Sequence, residues 1–123
     1  MRDKTNDPLR LSLMMESICN IESFLANVNN YDDFVNDRML NHAVIYNLQC
    51  IGESAYMLSQ EYRTENSQIP WKSMEGLRHI LVHDYYQVDM PLLWSIIQND
   101  LTPLKKFLSE RDVVPLSELG DQQ

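Results

Sequence analysis

The densest set of reactive side chains lies in one stretch, Glu75-Gly76-Leu77-Arg78-His79-Ile80-Leu81-Val82-His83-Asp84-Tyr85-Tyr86. It holds every histidine except His42, together with an arginine, two carboxylates and two phenols. Two kinds of chemistry fit these residue types. One is metal binding: His79 and His83 stand at i and i+4, which puts both rings on one helical face as in zinc helices. No glutamate follows His79 directly, so the HExxH pattern of zinc hydrolases is absent, and a third ligand would have to come from His42, Asp84 or elsewhere. The expectation is therefore no metal site. The other is acid–base work on a phosphate. Arg78 offers a planar donor fork suited to phosphate oxygens, and an imidazole such as His83 exchanges a proton near neutral pH. Cleaving RNA without a metal needs a base for the ribose 2′-OH and a cation for the charge that builds on the phosphorane.

Geometry sets a condition on that second reading. Five residues along an ideal helix leave Arg78 and His83 about 140° apart, so they share no face. Either the helix ends near His83 and the chain turns, or two copies of the segment meet across a dimer. Plainer readings stand beside the chemical ones. A lone helical arginine is usually solvated or ion-paired, and a lone histidine is more often a hydrogen-bonded structural group than a catalyst. Trp71 and Trp94 read as core or interface anchors rather than base-stacking platforms. Gly52, inside a helical pattern, reads as a point of close helix–helix contact.

The elements that must position these residues are helical. Few glycines and prolines punctuate the 123 residues, too few for many short strands and tight turns. Asp7-Pro8 suits a helix start, and Leu11, Met14, Ile18, Ile21, Leu25 and Val28 form one stripe that predicts a helix over 8–28. Asp32-Asp33 can cap a second, longer helix carrying Leu40, Val44, Leu48, Ile51, Ala55 and Leu58, which gives way near 61–63 to a polar loop over 64–68. A shorter helix is expected over 72–83. The last runs from the Asp89 cap to about Ser109, and Pro103, lacking an N–H, should kink or split it. The fold class is all-α: an up-and-down bundle of four main helices with room for a short extra one, forming a single domain over 1–110. The remainder, 111–123, has no periodicity and reads as a tail that hangs loose or docks on a partner.

Composition narrows the setting. The 44% hydrophobic and 23% charged shares are those of a globular protein. No apolar run reaches the roughly 20 residues of a membrane span, so no membrane association is expected and the expected location is the cytoplasm. Cys19 and Cys50 form no CxxC pair and read as two reduced, buried thiols. The formal net charge of −8 counts against a nucleic-acid partner, because phosphate binding is driven by Lys and Arg. It favours a basic protein partner instead.

The segment is more specific than its spacing. Arg78-x4-His83-x-Tyr85 resembles the Rx4HxY signature of HepT-like toxins in the HEPN superfamily. Ile51-Gly52-Glu53-Ser54 resembles that family's IGEA motif, and Ile69-Pro70-Trp71-Lys72 with Met74-Glu75-Gly76-Leu77-Arg78 resembles its approach to the arginine. Leu93-Trp94 and Asp100-Leu101 match the pattern of its last helix. The similarity covers nearly all of 9–108 in order and spacing. It departs at His79, where asparagine is common, and at Leu77, which replaces methionine at conserved volume.

The resemblance implies a HEPN-like helical bundle that dimerises, bringing two copies of the motif into one cleft. It implies a metal-independent endoribonuclease with no cofactor, acting on tRNA or mRNA, with Arg78 and His83 catalytic. It also implies a cognate antitoxin, a small MNT-type nucleotidyltransferase that in some members transfers AMP to the motif tyrosine, here Tyr85. Glu53 would either orient Arg78 or merely cap a packing position, Asp84 would hold the His83 tautomer, and His79 would replace an amide or titrate in its own right. The rival expectation is a HEPN protein without nuclease activity that serves as binding partner or regulatory subunit of a nucleotidyltransferase, a reading the acidic composition supports.

Overall fold

Asp7-Pro8 does start a helix. The structure, a computed structural model, describes residues 3–120, with the side chain of Tyr85 outside that description. Helix α1 spans Asp7–Phe24, with proline in its first turn where no intrahelical donor is needed. It ends earlier than the apolar stripe does. The Leu25 N–H still reaches the Ile21 carbonyl, but Ala26 and Val28 bond three residues back, so the chain tightens into a turn. Leu25 and Val28 keep packing on the core from that turn, which is why the periodicity outruns the helix.

The second expected helix is three. Helix α2 spans Tyr31–Val35 and α3 spans Arg38–Met57. The Asn30 side chain caps α2 by accepting the Asp33 N–H, and Asp37 caps α3 by accepting the Leu40 N–H at 3.0 Å. Asn41 then donates to the carbonyls of Phe34 and Val35, so the freed end of α2 is satisfied from the next helix. Helix α3 stops at Met57 because Leu58 turns extended and Ser59 caps a short α4, Gln60–Glu65. Ser59 is bound to Asp7 at the far end of the chain: its N–H donates to one Asp7 oxygen at 2.9 Å and its hydroxyl to the other at 2.6 Å, all buried.

Helix α5 spans Trp71–His83, as the pattern predicts. Helices α6 (Met90–Asn99) and α7 (Leu101–Ser109) are the two halves of the expected last helix. They part at Asp100, where Pro103 has no N–H to offer Asn99. After α7 the chain reverses at Asp112, whose φ is 59°. The Val113 N–H reaches the Leu108 carbonyl and the Asp112 N–H that of Ser109, a Schellman closure with aspartate in the left-handed position. The residues after it do not hang free. Helix α8, Leu116–Gly120, lies on α1, with the Ser117 N–H donated to Glu16 at 2.8 Å.

The architecture is all-α, without a strand among the described residues. Helix α3 is central, packed between α1 and α5. Helix α7 closes against α1, and α2 bridges α3 and α6. Met14, Ile18, Phe34, Val44, Ala55, Leu81 and Leu108 are fully buried between these layers. Trp71 stands edge-on to Tyr62 and Phe107 and donates its indole N–H to the Asn66 carbonyl, whereas Trp94 packs on Phe34. Both tryptophans are packing anchors. Cys19 and Cys50 are free thiols, but half-buried rather than buried. No helix among the described residues is long and apolar enough to cross a membrane.

Helices α3 and α5 approach closely enough at one point to leave no room for a side chain. A Cβ placed on Gly52 would collide with the Cβ of Arg78 and come within 2.8 Å of the Met74 carbonyl oxygen. Backbone meets backbone there, and only glycine allows it. Gly76, by contrast, faces open space. Gly52→Ala is expected to cost about 1–3 kcal/mol in urea unfolding, the range for overpacking. Asp7→Ala, which strips two buried hydrogen bonds from a carboxylate, should cost about 2–4 kcal/mol by the same measurement, and a loss below 0.5 kcal/mol would show the Asp7–Ser59 clasp to be dispensable.

Candidate functional site

The Gly52 crossing determines where Arg78 goes. With its Cβ against α3, the arginine stem runs along that helix, and its Nε meets the Glu53 carboxylate at 2.5 Å. The guanidinium carbon stands 5.5 Å from the Tyr56 ring centroid, within cation–π range. The IGES segment therefore works as a unit. Glycine admits α5, and the next residue supplies the acid that fixes the arginine's direction.

About one turn before Glu53 on α3, Gln49 donates its side-chain amide to the Leu81 carbonyl at 3.0 Å. That carbonyl lies in the last turn of α5, where helical partners run out. The Asp84 N–H closes the helix on the Ile80 carbonyl, and the Gln87 N–H bonds Asp84 in turn. A 3-10 turn over Tyr85–Gln87 follows, and Asp89 then caps α6. So the chain does turn immediately after His83. Tyr85 opens that turn; its side chain lies outside the described residues.

Arg78 lines a groove of about 430 Å³ that runs over α3 between α1 and α5, together with Tyr46, Cys50, Glu53 and Val82. Tyr46 is largely exposed, and its phenol is pushed above its ordinary value by the hydrogen bond it shares with the Cys50 thiol. A second groove of about 500 Å³ adjoins it and shares Tyr46, Gln49 and Val82. Its other walls include His42, Tyr86 and Val88.

His83 lies elsewhere. It is exposed at the end of α5 with its ring 4.6 Å from that of His79, centroid to centroid. The structure thus brings Arg78 to Glu53 and His79 to His83, but it does not bring Arg78 and His83 into one cavity. Neither histidine joins a set of metal-binding groups: no cluster of three or more His, Cys, Asp or Glu side chains suits a metal among the described residues. His42, the third ligand considered from spacing, lines the other groove. Asp84 makes no side-chain hydrogen bond to His83 among the described residues; its backbone holds the turn instead.

Gln49, Tyr46 and Tyr56 were not singled out by sequence reasoning. A signal existed, because Tyr46, Gln49, Glu53 and Tyr56 recur at spacings of three and four on the face of α3 opposite its apolar stripe. Arg10 of α1, on the groove's other wall, gave no such signal.

Comparison with known proteins identifies the family. The family model described as "Ribonuclease HepT-like" matches residues 14–111. Among curated relatives, "Putative RNase MJ1380" of Methanocaldococcus jannaschii is 37% identical over 93 residues, 76% of this chain and 84% of its own. "Putative RNase TTE0752" of Caldanaerobacter subterraneus subsp. tengcongensis is 35% identical over 80 residues, 65% of this chain and 71% of its own. "Probable ribonuclease HepT" of Thermococcus cleftensis is 33% identical over 90 residues, 73% of this chain and 81% of its own. No solved structure gives a significant match. The all-α bundle, the family match over 14–111 and these relatives lead to one assignment: the chain belongs to the HepT-like ribonuclease family of the HEPN superfamily.

Proposed function

We propose that this chain is a metal-independent endoribonuclease, the toxin half of a toxin–antitoxin pair. The observation that carries the reading is Arg78, seated at the Gly52 crossing, aimed by Glu53 at 2.5 Å, and still partly exposed on a groove. An arginine held in one direction beside open space is arranged to receive an anion.

The reaction follows from the residue types. His83 takes the proton of a ribose 2′-OH as that oxygen attacks the adjacent phosphorus. The charge gathering on the phosphorane oxygens is met by the Arg78 fork. The bond to the 5′-oxygen breaks, that oxygen leaves with a proton from an imidazolium, and a 2′,3′-cyclic phosphate remains. Within one chain Arg78 and His83 diverge, so the reaction calls for a homodimer in which each motif is completed by its mate. Met39 and Ile80, apolar and exposed on α3 and α5 outside the Arg78 groove, offer surface for it.

The antitoxin in this reading is an MNT-type nucleotidyltransferase: the Tyr85 oxygen attacks the α-phosphorus of ATP and loses its proton, the α–β anhydride bond breaks, and pyrophosphate leaves. Tyr85 follows the end of α5 by two residues. A phosphodiester placed there would oppose an incoming RNA phosphate by charge and by volume.

The purified chain is expected to cleave total tRNA or a model mRNA in EDTA. Arg78→Ala should lower the rate about 10²–10³-fold and His83→Ala about 10²–10⁴-fold, with helical circular dichroism unchanged. Inert wild-type protein with an unmodified Tyr85 would falsify the nuclease reading for those RNAs and leave a nucleotidyltransferase-binding subunit in its place. With the antitoxin and ATP, intact mass should show AMP added to wild type and none to Tyr85→Phe. Equal labelling of both proteins would move the acceptor to another residue.

A further inference from the structure

The groove that carries Arg78 has a second guanidinium which the reaction above does not use. Arg10, near the start of α1, lines the opposite wall. Its Nε is buried from solvent and has no hydrogen-bond partner among the described residues. The carboxylates that share the groove are committed elsewhere: Glu53 holds Arg78, and Glu16 accepts the Ser117 N–H of α8. Three of the chain's other cations are paired, Lys4 with Glu61, Arg63 with Glu75 and Lys105 with Glu22.

In a chain of net charge −8, the groove sets Arg10 and Arg78 against Glu16 and Glu53, and of these four only Arg10 has no hydrogen bond or ion pair among the described residues. A buried guanidinium N–H without an acceptor is unfavourable, and the acceptor that best matches its fork is a phosphate or carboxylate. The groove's volume of about 430 Å³ falls in the range of sites that take a small ligand or one unit of a polymer. Tyr46 stands exposed on its floor, a face on which an unpaired base can stack.

We infer that Arg10 binds a backbone phosphate of single-stranded RNA laid across α3, next to the phosphate held by Arg78. The identity of the anion rests on the ribonuclease reading; the unmatched cation does not. Arg10 is a binding residue in this scheme, since the bond-breaking phosphate lies with Arg78. Its contribution should appear in affinity and KM rather than in kcat. It also answers the charge objection raised by composition: a negative body can hold RNA where two guanidiniums line one groove.

The test uses the full chain in a His83→Ala background, so that RNA survives, with a labelled single-stranded oligoribonucleotide titrated across about 50–200 mM KCl. Arg10→Gln should weaken binding about tenfold at the low-salt end. It should also make the slope of log K against log salt shallower by about 0.7, the loss of one phosphate contact on a single strand. Arg10→Lys keeps the charge and should keep the slope while losing part of the affinity. Thermal unfolding of each variant shows whether the fold is kept, and Arg10→Lys still decides the matter if Arg10→Gln does not fold. Unchanged affinity and slope in the folded variants, or no RNA binding by the parent, would overturn the inference. Cleavage assays with His83 restored separate the two ideas. If RNA is cut and Arg10→Gln leaves KM and the binding slope unaltered, the Arg10 site falls and the ribonuclease reading stands. If RNA is bound through Arg10 but never cut, the ribonuclease reading falls and the phosphate site stands.

Discussion

Everything at the site depends on α3 and α5 touching backbone to backbone at Gly52. Glycine inside a helix costs about 1 kcal/mol relative to alanine. Its return is position: the Arg78 Cβ occupies the space that a side chain at residue 52 would fill. Once the helices are this close, the residue after the glycine reaches the arginine without either side chain stretching away. Gln49 fixes the same two helices further along, at the Leu81 carbonyl. These contacts lock the rotation and the ending of α5. Arg78 therefore faces the groove while His83 sits at the helix terminus on another side, and this is the geometry that makes a second copy of the chain part of the proposed reaction.

The rest of the bundle keeps α3 in place against that approach. On its other side α1 is clasped at one end by Asp7 and Ser59 and near the other by the Asn20 amide donated to Asn47. The short helices are consequences of the same economy of hydrogen bonds. Ser59 can end α3 and start α4 because its hydroxyl donates a hydrogen bond to Asp7 while its oxygen accepts the Tyr62 N–H. Asn41 does the equivalent for α2. Both of these breaks are placed where a buried polar side chain satisfies the backbone groups that the break exposes.

That pattern explains what could be read from the residues and what could not. The stripe of α1, the Asp89 cap and the division caused by Pro103 are local, and they were legible. The break between α2 and α3 was not, since Asp37 serves equally well as an exposed helix residue or as a cap, and only the burial of Phe34 and Asn41 selects the cap. The end of α3 at Leu58 depends on Asp7, far away in sequence. The docking of α8 depends on Glu16, and no periodicity in 113–120 announces it. At the site, the Arg78, His83 and Tyr85 spacing stood out at once, and Gly52 stood out as a residue with a thermodynamic cost. Arg10 stayed hidden because its meaning comes from the α1 face turned towards α3 and from the prior engagement of Glu16 and Glu53.

The ion pair between Arg78 and Glu53 then sets how the proposed site handles a substrate. A deeply buried pair would hold the guanidinium so firmly that a phosphate could not compete, and stripping either partner would leave a stranded charge. Here the side chains retain 30% and 47% of their exposure, and pairs of that kind are worth no more than about 1 kcal/mol. That is enough to choose one direction for the arginine among its many rotamers and too little to withhold it from a dianionic transition state. Only Nε is taken by the carboxylate, so the terminal nitrogens of the fork keep donors to give. Glu53 thus aims the cation without consuming it, and a residue that neither touches the reacting atoms nor stabilises the fold by much acquires a clear physical purpose in the proposed chemistry.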